Sequence, residues 1–231
     1  MHQSNLSDYY TTARPDMIQF LPRKFSRVLE IGCSSGGFSQ ILLKRGAEVW
    51  GVEPNKRAAE VARLTLTKVI DTTFEQASNQ LPDLYFDLVV CNDVIEHMPD
   101  HDYFLQAIKS KMCEGAVLVG SLPNIRHITS LVKLLALKDF PYRNEGILDR
   151  THLRFFTQKS IRRALQENGF DVGILRGLNN IIIKGLCGGT ALQKLFWRVL
   201  TSAVVVLTLG YYSDVVFPQF GFRALLVKRG S

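Results

Sequence analysis

Apolar and polar positions along the chain follow two periods. Short, nearly unbroken apolar runs recur at 27–31, 48–53, 68–70 and 86–93, and once more in "GAVLVGSLP", which Pro123 stops. Runs of that length and continuity predict strands buried on both faces, as a parallel sheet requires. Between them, at 38–45, 56–66 and 102–112, apolar residues return every three or four positions and predict amphipathic helices. The stretch "TQKSIRRALQENGF" is punctuated at both ends, with Thr157 placed as an N-cap and Gly169 as a left-handed stop. A strand near 172–175 follows, and "FRALLVKR" supplies the last one. Strands alternating with helices at these lengths predict an α/β fold with a doubly wound, mainly parallel sheet.

Two segments break the alternation. Residues 124–156 and 179–219 are too long for simple connections, and such insertions usually serve as lids or partner surfaces. The second contains "LFWRVLTSAVVVLTLGYY", residues 195–212. Arg198 interrupts it, and what remains is short of the roughly 20 apolar residues a spanning helix needs. A buried or interfacial segment is expected there.

At 231 residues, 46% of them hydrophobic, the chain can bury a full core and is expected to form one domain, 1–231. Its first residues carry no apolar signal-like run, and Cys33, Cys91, Cys113 and Cys187 are scattered without metal-site spacing. A cytoplasmic protein with reduced thiols is expected, free or peripheral at the inner membrane face. Charge divides the picture further: residues 1–125 carry 12 Lys/Arg against 15 Asp/Glu, and residues 126–231 carry 16 against 6. The basic half is either a solvated face or one turned towards an acidic partner.

The candidate chemistry begins at "RVLEIGCSSGG". A dinucleotide fingerprint needs a middle glycine so that backbone can approach a pyrophosphate, and Ser34 stands in that place. No Gly-Lys-Ser/Thr follows, which excludes a P-loop. Glu53 ends the second strand 21 residues after Gly32, where a carboxylate can accept from both ribose hydroxyls. The turn therefore suits a ribose-bearing ligand without a pyrophosphate.

These residues, with "FDLVVCNDVIEHMPD", resemble the motifs of class I S-adenosylmethionine-dependent methyltransferases. "SLPNIRH" and "GILDRTHLRFFTQKSI" are similar to a branch found in bacterial glycan and lipopolysaccharide synthesis. The resemblance implies a Rossmann-like, seven-stranded methyltransferase sheet with a lid insertion at 124–156 and an apolar, basic insertion at 179–219. It implies S-adenosyl-L-methionine as cofactor. Glu30, Gly32, Cys33 and Gly36 would lie at the methionine part, Glu53 and Pro54 at the ribose, and Thr73 and Phe74 at the adenine. Asn92, Asp93 and Val94 would line the methyl-transfer side, with Tyr9, Tyr10 and Arg14 closing over the cofactor. Glu30 is expected to accept from the turn's backbone N–H groups or to meet the ligand's ammonium.

Methyl transfer to a hydroxyl is helped by a general base. His97 and His152 are the candidates, with Asp149 and Glu96 as orienting carboxylates; Arg150 and Arg154 are expected to clamp the substrate, and Asn124 to contact it. Asp93, Glu96 and His97 could gather around Mg²⁺, but nothing in the spacing demands a metal and none is expected. The acceptor is expected to be a hydroxyl of a sugar or glycan intermediate, lipid-linked in one variant, with a homodimer left open. The alternatives are a small-molecule N- or O-methyltransferase of specialised metabolism, an RNA methyltransferase, or a non-enzymatic partner surface. "NDVI" at the fourth strand lacks the Pro-Pro-aromatic segment of exocyclic-amine methyltransferases, so no nucleic acid partner is expected.

Overall fold

A computed structural model describes residues 14–180 and 190–227. Their centre is a seven-stranded sheet. In chain order its strands are β1 (Arg27–Ile31), β2 (Glu48–Val52), β3 (Lys68–Ile70), β4 (Phe86–Asn92), β5 (Met112–Pro123), β6 (Phe170–Leu178) and β7 (Gln219–Leu226). Their spatial order is β3-β2-β1-β4-β5-β7-β6, with only β7 antiparallel to its neighbours. The expected α/β class and mainly parallel sheet are what the chain adopts.

Successive residues of a strand face opposite sides, so the continuous apolar runs feed two cores. Leu29, Ile31, Val89, Cys91 and Leu118 enter one cluster, and Val28, Val49, Leu88, Val90 and Val119 the other. The α-helices of the described residues are α1 (Ser39–Leu43), α2 (Lys56–Ala62), α3 (Phe74–Ala77), α4 (His101–Lys111), α5 (Ile128–Leu135), α6 (Gln158–Glu167) and α7 (Ala191–Leu207).

Helix bounds follow their caps. The Asn55 side chain accepts from the N–H groups of Arg57 and Ala58 and starts α2, which ends earlier than expected as the chain tightens into Leu64 N–H···O Val61 and Thr65 N–H···O Ala62 turns. The Asp100 carboxylate accepts from Tyr103 N–H at 2.9 Å, so α4 opens at His101 rather than at Asp102. Thr157 makes a reciprocal capping box with Ser160, and Gly169 follows α6 at φ 81°, as the sequence predicts.

The described parts of both insertions lie at the carboxyl edge of the parallel strands. Asn124 follows β5 directly, is fully buried, and donates from Nδ2 to the Asp214 and Phe217 carbonyls at 2.9 Å each. Its Oδ1 accepts from Arg126 N–H at 3.0 Å. One amide thus ties the two insertions together. The inner stripe of α7 packs through Trp197 and Leu200 with Ile128, Leu131, Val215 and Val216.

Candidate active site

The glycine turn after β1 is held by three strand ends. Gly32 N–H donates to the Val52 carbonyl at 2.8 Å. Gly32 has φ 68°, and a Cβ there would lie 2.6 Å from Cγ2 of Val94, at the end of β4. Gly36 has φ 85°, with Leu66 3.0 Å from where its Cβ would be. The glycines are therefore required by crowding from Val94 and Leu66 and by left-handed backbone, not only by the approach of a ligand. Ser34 also lies in the left-handed region, at φ 52°. The position that wants a glycine is occupied by a strained serine.

That strain is offset by Glu53. Its Oε2 accepts from Ser34 N–H and its Oε1 from Asn55 N–H, both at 2.8 Å. Each oxygen keeps a second lone pair, so the carboxylate can still accept from two ribose hydroxyls. Burial raises its pKa, partly offset by these two backbone donors.

Two expected cofactor residues have side-chain partners in the protein at this turn. Glu30 is 3% exposed and accepts the Ser39 hydroxyl, so it braces the start of α1 instead of taking the turn's N–H groups. Burial pushes its carboxyl up to about 8, which leaves it largely neutral at neutral pH. Cys33 turns its thiol into the core beside Gly51, so only its backbone can face a ligand. Further round, Phe74 is 2% exposed and meets Phe104 edge-on at 4.9 Å, making it a core residue. Thr73 and Pro54 are exposed beyond the ends of β3 and β2.

The end of β4 carries the clearest ligand-seeking group. Both polar atoms of the Asn92 side chain are buried, and neither has a hydrogen-bond partner. Buried amides without partners are costly and rare, and a polar ligand part at this edge would satisfy it. With the spare lone pairs of Glu53, this fits S-adenosylmethionine. Asp93, at φ 54°, is instead taken up by the protein: it pairs with the Arg14 guanidinium and accepts from the Ser121 hydroxyl at 2.9 Å. Arg14 also bonds Asp16, so it is committed to carboxylates of the chain rather than to that of a cofactor. Tyr9 and Tyr10, expected beside it, lie outside the described residues.

On the acceptor side the structure brings together His97 and His152. His97 sits in the short turn Ile95–His97 after β4, and His152 comes from the 124–156 insertion. Their ring centroids are 4.9 Å apart. His97 Nδ1 lies 3.1 Å from the Thr151 carbonyl, and His152 Nδ1 lies 3.1 Å from the Ile147 carbonyl. A carbonyl can only accept, so each Nδ1 carries a proton and Nε2 is the ring nitrogen turned to other partners. Burial holds the His152 pKa below the ordinary histidine value, despite the raising effect of the Ile147 carbonyl.

The expected orienting carboxylates do not perform that task. Asp149 accepts from Thr151 N–H at 2.8 Å and Thr151 Oγ1 at 2.7 Å, which shapes the loop. Burial alone would raise the Asp149 pKa, but those bonds outweigh it and hold it low. Glu96 is 1% exposed, and neither carboxylate oxygen has a partner. Burial, and then the charge of Asp93, push its pKa well above the carboxylate range. Its main-chain carbonyl accepts from Leu153 and Arg154 N–H at 2.8 and 3.0 Å, pinning the insertion over the sheet edge. The ligand atoms of Glu96, His97 and His152 lie within 4.8 Å of one another, a set that could hold one divalent cation.

A cleft of about 500 Å³ opens beside His152, lined also by Tyr142, Arg150, Leu153 and Phe155. Phe140 meets both Phe155 and Tyr142 edge-on, at 5.3 and 5.4 Å. Arg150 lines this cleft. Arg154 is corrected: its guanidinium donates to the Pro99 and Leu153 carbonyls and braces the loop. Asn124 is corrected too, since it is fully buried with both N–H donors used on the insertions. The Ile147 and Thr151 carbonyls are functional groups the sequence did not reveal, because every residue has one.

Fold and site together define a class of enzyme, and comparison with known proteins agrees. Residues 4–173 match the family model described as a methyltransferase domain. A ubiquinone biosynthesis O-methyltransferase of Aeromonas salmonicida is 36% identical over 163 residues, 66% of each chain, so the match spans just under two thirds of that relative's length. A solved S-adenosylmethionine-dependent methyltransferase of Archaeoglobus fulgidus has a TM-score of 0.68 at 20% identity, covering 97% of this chain and 100% of that one. Phosphoethanolamine N-methyltransferase 2 of Haemonchus contortus, solved with S-adenosyl-L-methionine, gives 0.56 at 16% identity, over 91% of this chain and 51% of that one. These two likenesses are of fold. The chain belongs to the methyltransferase-domain family, in its class I, S-adenosylmethionine-dependent form.

Proposed function

We propose that the protein transfers a methyl group from S-adenosylmethionine to a hydroxyl on a ring-shaped small molecule. The observation that carries this reading is the pair of Nε2 atoms on His97 and His152 at the sheet edge, beside an aromatic-lined cleft. The cofactor supplies an activated methyl on a good leaving group, and the chain must position the hydroxyl in line and accept its proton. Glu53 and Asn92 would hold the cofactor. His152, with its depressed pKa, stays unprotonated at neutral pH and is the proton acceptor; His97 supports it.

Flat rings stack on Tyr142 and Phe155, and the O-methyltransferase name of the 36% identical relative favours a phenolic ring over the sugar expected from sequence. A second reading has one observation behind it. The bare, buried Glu96 carboxylate completes a trio with the two imidazoles, and a divalent cation there would bind and acidify the hydroxyl instead.

The test is methyl transfer, detected by mass, onto mono- and dihydroxybenzoates and onto nucleotide-sugars, with and without chelator. Methylated phenols formed in the presence of chelator support the imidazole reading. Loss of that product on chelation, restored by divalent cation, replaces it with the second. Product only from nucleotide-sugars overturns the phenolic acceptor and restores the sugar one.

A further inference from the structure

Helix α7 is apolar on the wrong side. Its inner stripe, Trp197, Leu200 and Val205, is spent against the α5 region and Val215–Val216. At 3.6 residues per turn the opposite stripe is Leu192, Leu195, Phe196, Val199, Val206 and Leu207, and all six are more than half exposed. A surface helix ordinarily turns charge outward. The neighbouring end of α5 continues the pattern, with Leu135 72% and Leu137 67% exposed, and Leu209 beyond α7 is 97% exposed. Contiguous apolar surface of this kind marks an interaction site.

The charges around it say what covers it. Segments 124–138 and 190–212 contain Arg126, Lys133, Lys138, Lys194 and Arg198 and no Asp or Glu. Arg126 is spent on Asp214, which leaves four cations on the two segments that carry the exposed apolar residues. We propose that the α5–α7 face docks on an anionic membrane surface. The apolar stripe enters the headgroup boundary and the lysines and arginine meet lipid phosphates. A second copy is the poorer occupant. A two-fold interface sets a patch against itself, which would bring these four cations towards their own copies with Asp139 as the one carboxylate beside them. None of the helices of the described residues is long and apolar enough to span a bilayer, which agrees with a helix lying in the interface. Because Asn124 ties this insertion to the end of β5, the docked face borders the sheet edge that carries His97 and His152.

The experiment is flotation of the full chain with phosphatidylcholine vesicles, with and without phosphatidylglycerol, at low and high salt. The wild type is expected to float with phosphatidylglycerol vesicles and to be partly released by salt. Phe196→Ser with Val199→Ser should lower the bound fraction more than about tenfold, since each removes several methylenes from the interface. Lys194→Gln and Arg198→Gln should each lower it about fivefold on anionic vesicles only. An unchanged thermal midpoint shows that the variants are folded. Wild type that ignores phosphatidylglycerol, or an apolar double variant that floats as well as wild type, overturns the proposal. So does a wild-type dimer by light scattering that the apolar double variant converts to monomer, because the face then belongs to a second copy.

Discussion

His97 and His152, 55 positions apart in the chain, stand with ring centroids 4.9 Å apart, and each is oriented by a backbone carbonyl rather than by a carboxylate. Carbonyls fix the tautomer without stabilising the imidazolium as an anion would. Burial lowers the His152 pKa below the ordinary histidine value, which suits a group that must take a proton at neutral pH.

His152→Gln should lower kcat by about 100-fold or more with little change in KM, the usual worth of a positioned base. Because protonation silences the base and the His152 pKa is depressed, activity should persist as pH falls to the ordinary histidine value of 6.5 and be lost only below it. A kcat/KM profile checks this; an acid limb above 6.5 would contradict the assignment.

Glu53→Ala removes the two acceptors meant for the ribose and also frees the Ser34 and Asn55 N–H groups. Charge-assisted hydrogen bonds are worth about 1.5–3 kcal/mol each, so S-adenosylhomocysteine should bind at least about 10-fold more weakly by calorimetry. Affinity equal to wild type would remove Glu53 from the cofactor site.

Gly32→Ala should destabilise the protein by about 2 kcal/mol, from the 2.6 Å clash with Val94 and from φ 68°. Adding Val94→Ala should restore the part due to the clash and leave the part due to backbone strain. Denaturant titration of the single and double variants separates the two; additive losses would show that the turn and β4 are not in contact.

Asn124→Ala leaves the Phe217 carbonyl and the Arg126 N–H without the amide and takes one of two donors from the Asp214 carbonyl, at a cost of about 2 kcal/mol, or roughly 6 °C in thermal midpoint. Its acceptor KM should not move, since the side chain is fully buried with both donors used within the protein. A KM effect with unchanged stability would restore Asn124 as a substrate contact.

Glu30 titrates near 4.5 when unfolded and near 8 when folded, so the native state holds the extra proton between those values. Stability should therefore be greatest below pH 4.5 in this contribution, fall as pH rises to about 8, and level off above it. Glu30→Gln should flatten that slope and be more stable than wild type at alkaline pH, by up to about 5 kcal/mol for a rise from 4.5 to about 8 at about 1.4 kcal/mol per pH unit. Denaturation midpoints across the range give the answer directly.

Strand positions, their burial on both faces, the capped α6 and the ribose carboxylate were legible in the sequence. They depend on local periodicity and on residues whose roles travel with their neighbours: an apolar run, a Thr157 before a helix, an acid after a strand. That determined the α/β class, the mainly parallel sheet and the kind of ligand at the first turn. Only the tertiary structure decided which polar residues remain available. Arg14, Asp93, Asn124 and Arg154 looked like ligand contacts, and each is taken up by a partner elsewhere in the chain, 79 residues away for Arg14 and 90 or more for Asn124. Conversely, Asn92 and Glu96 are left without partners, and an apolar stripe of α7 is left facing out. Pattern along a chain reports what a residue can do; whether it is free to do it depends on hydrogen-bond partners and packing that only the fold brings within reach.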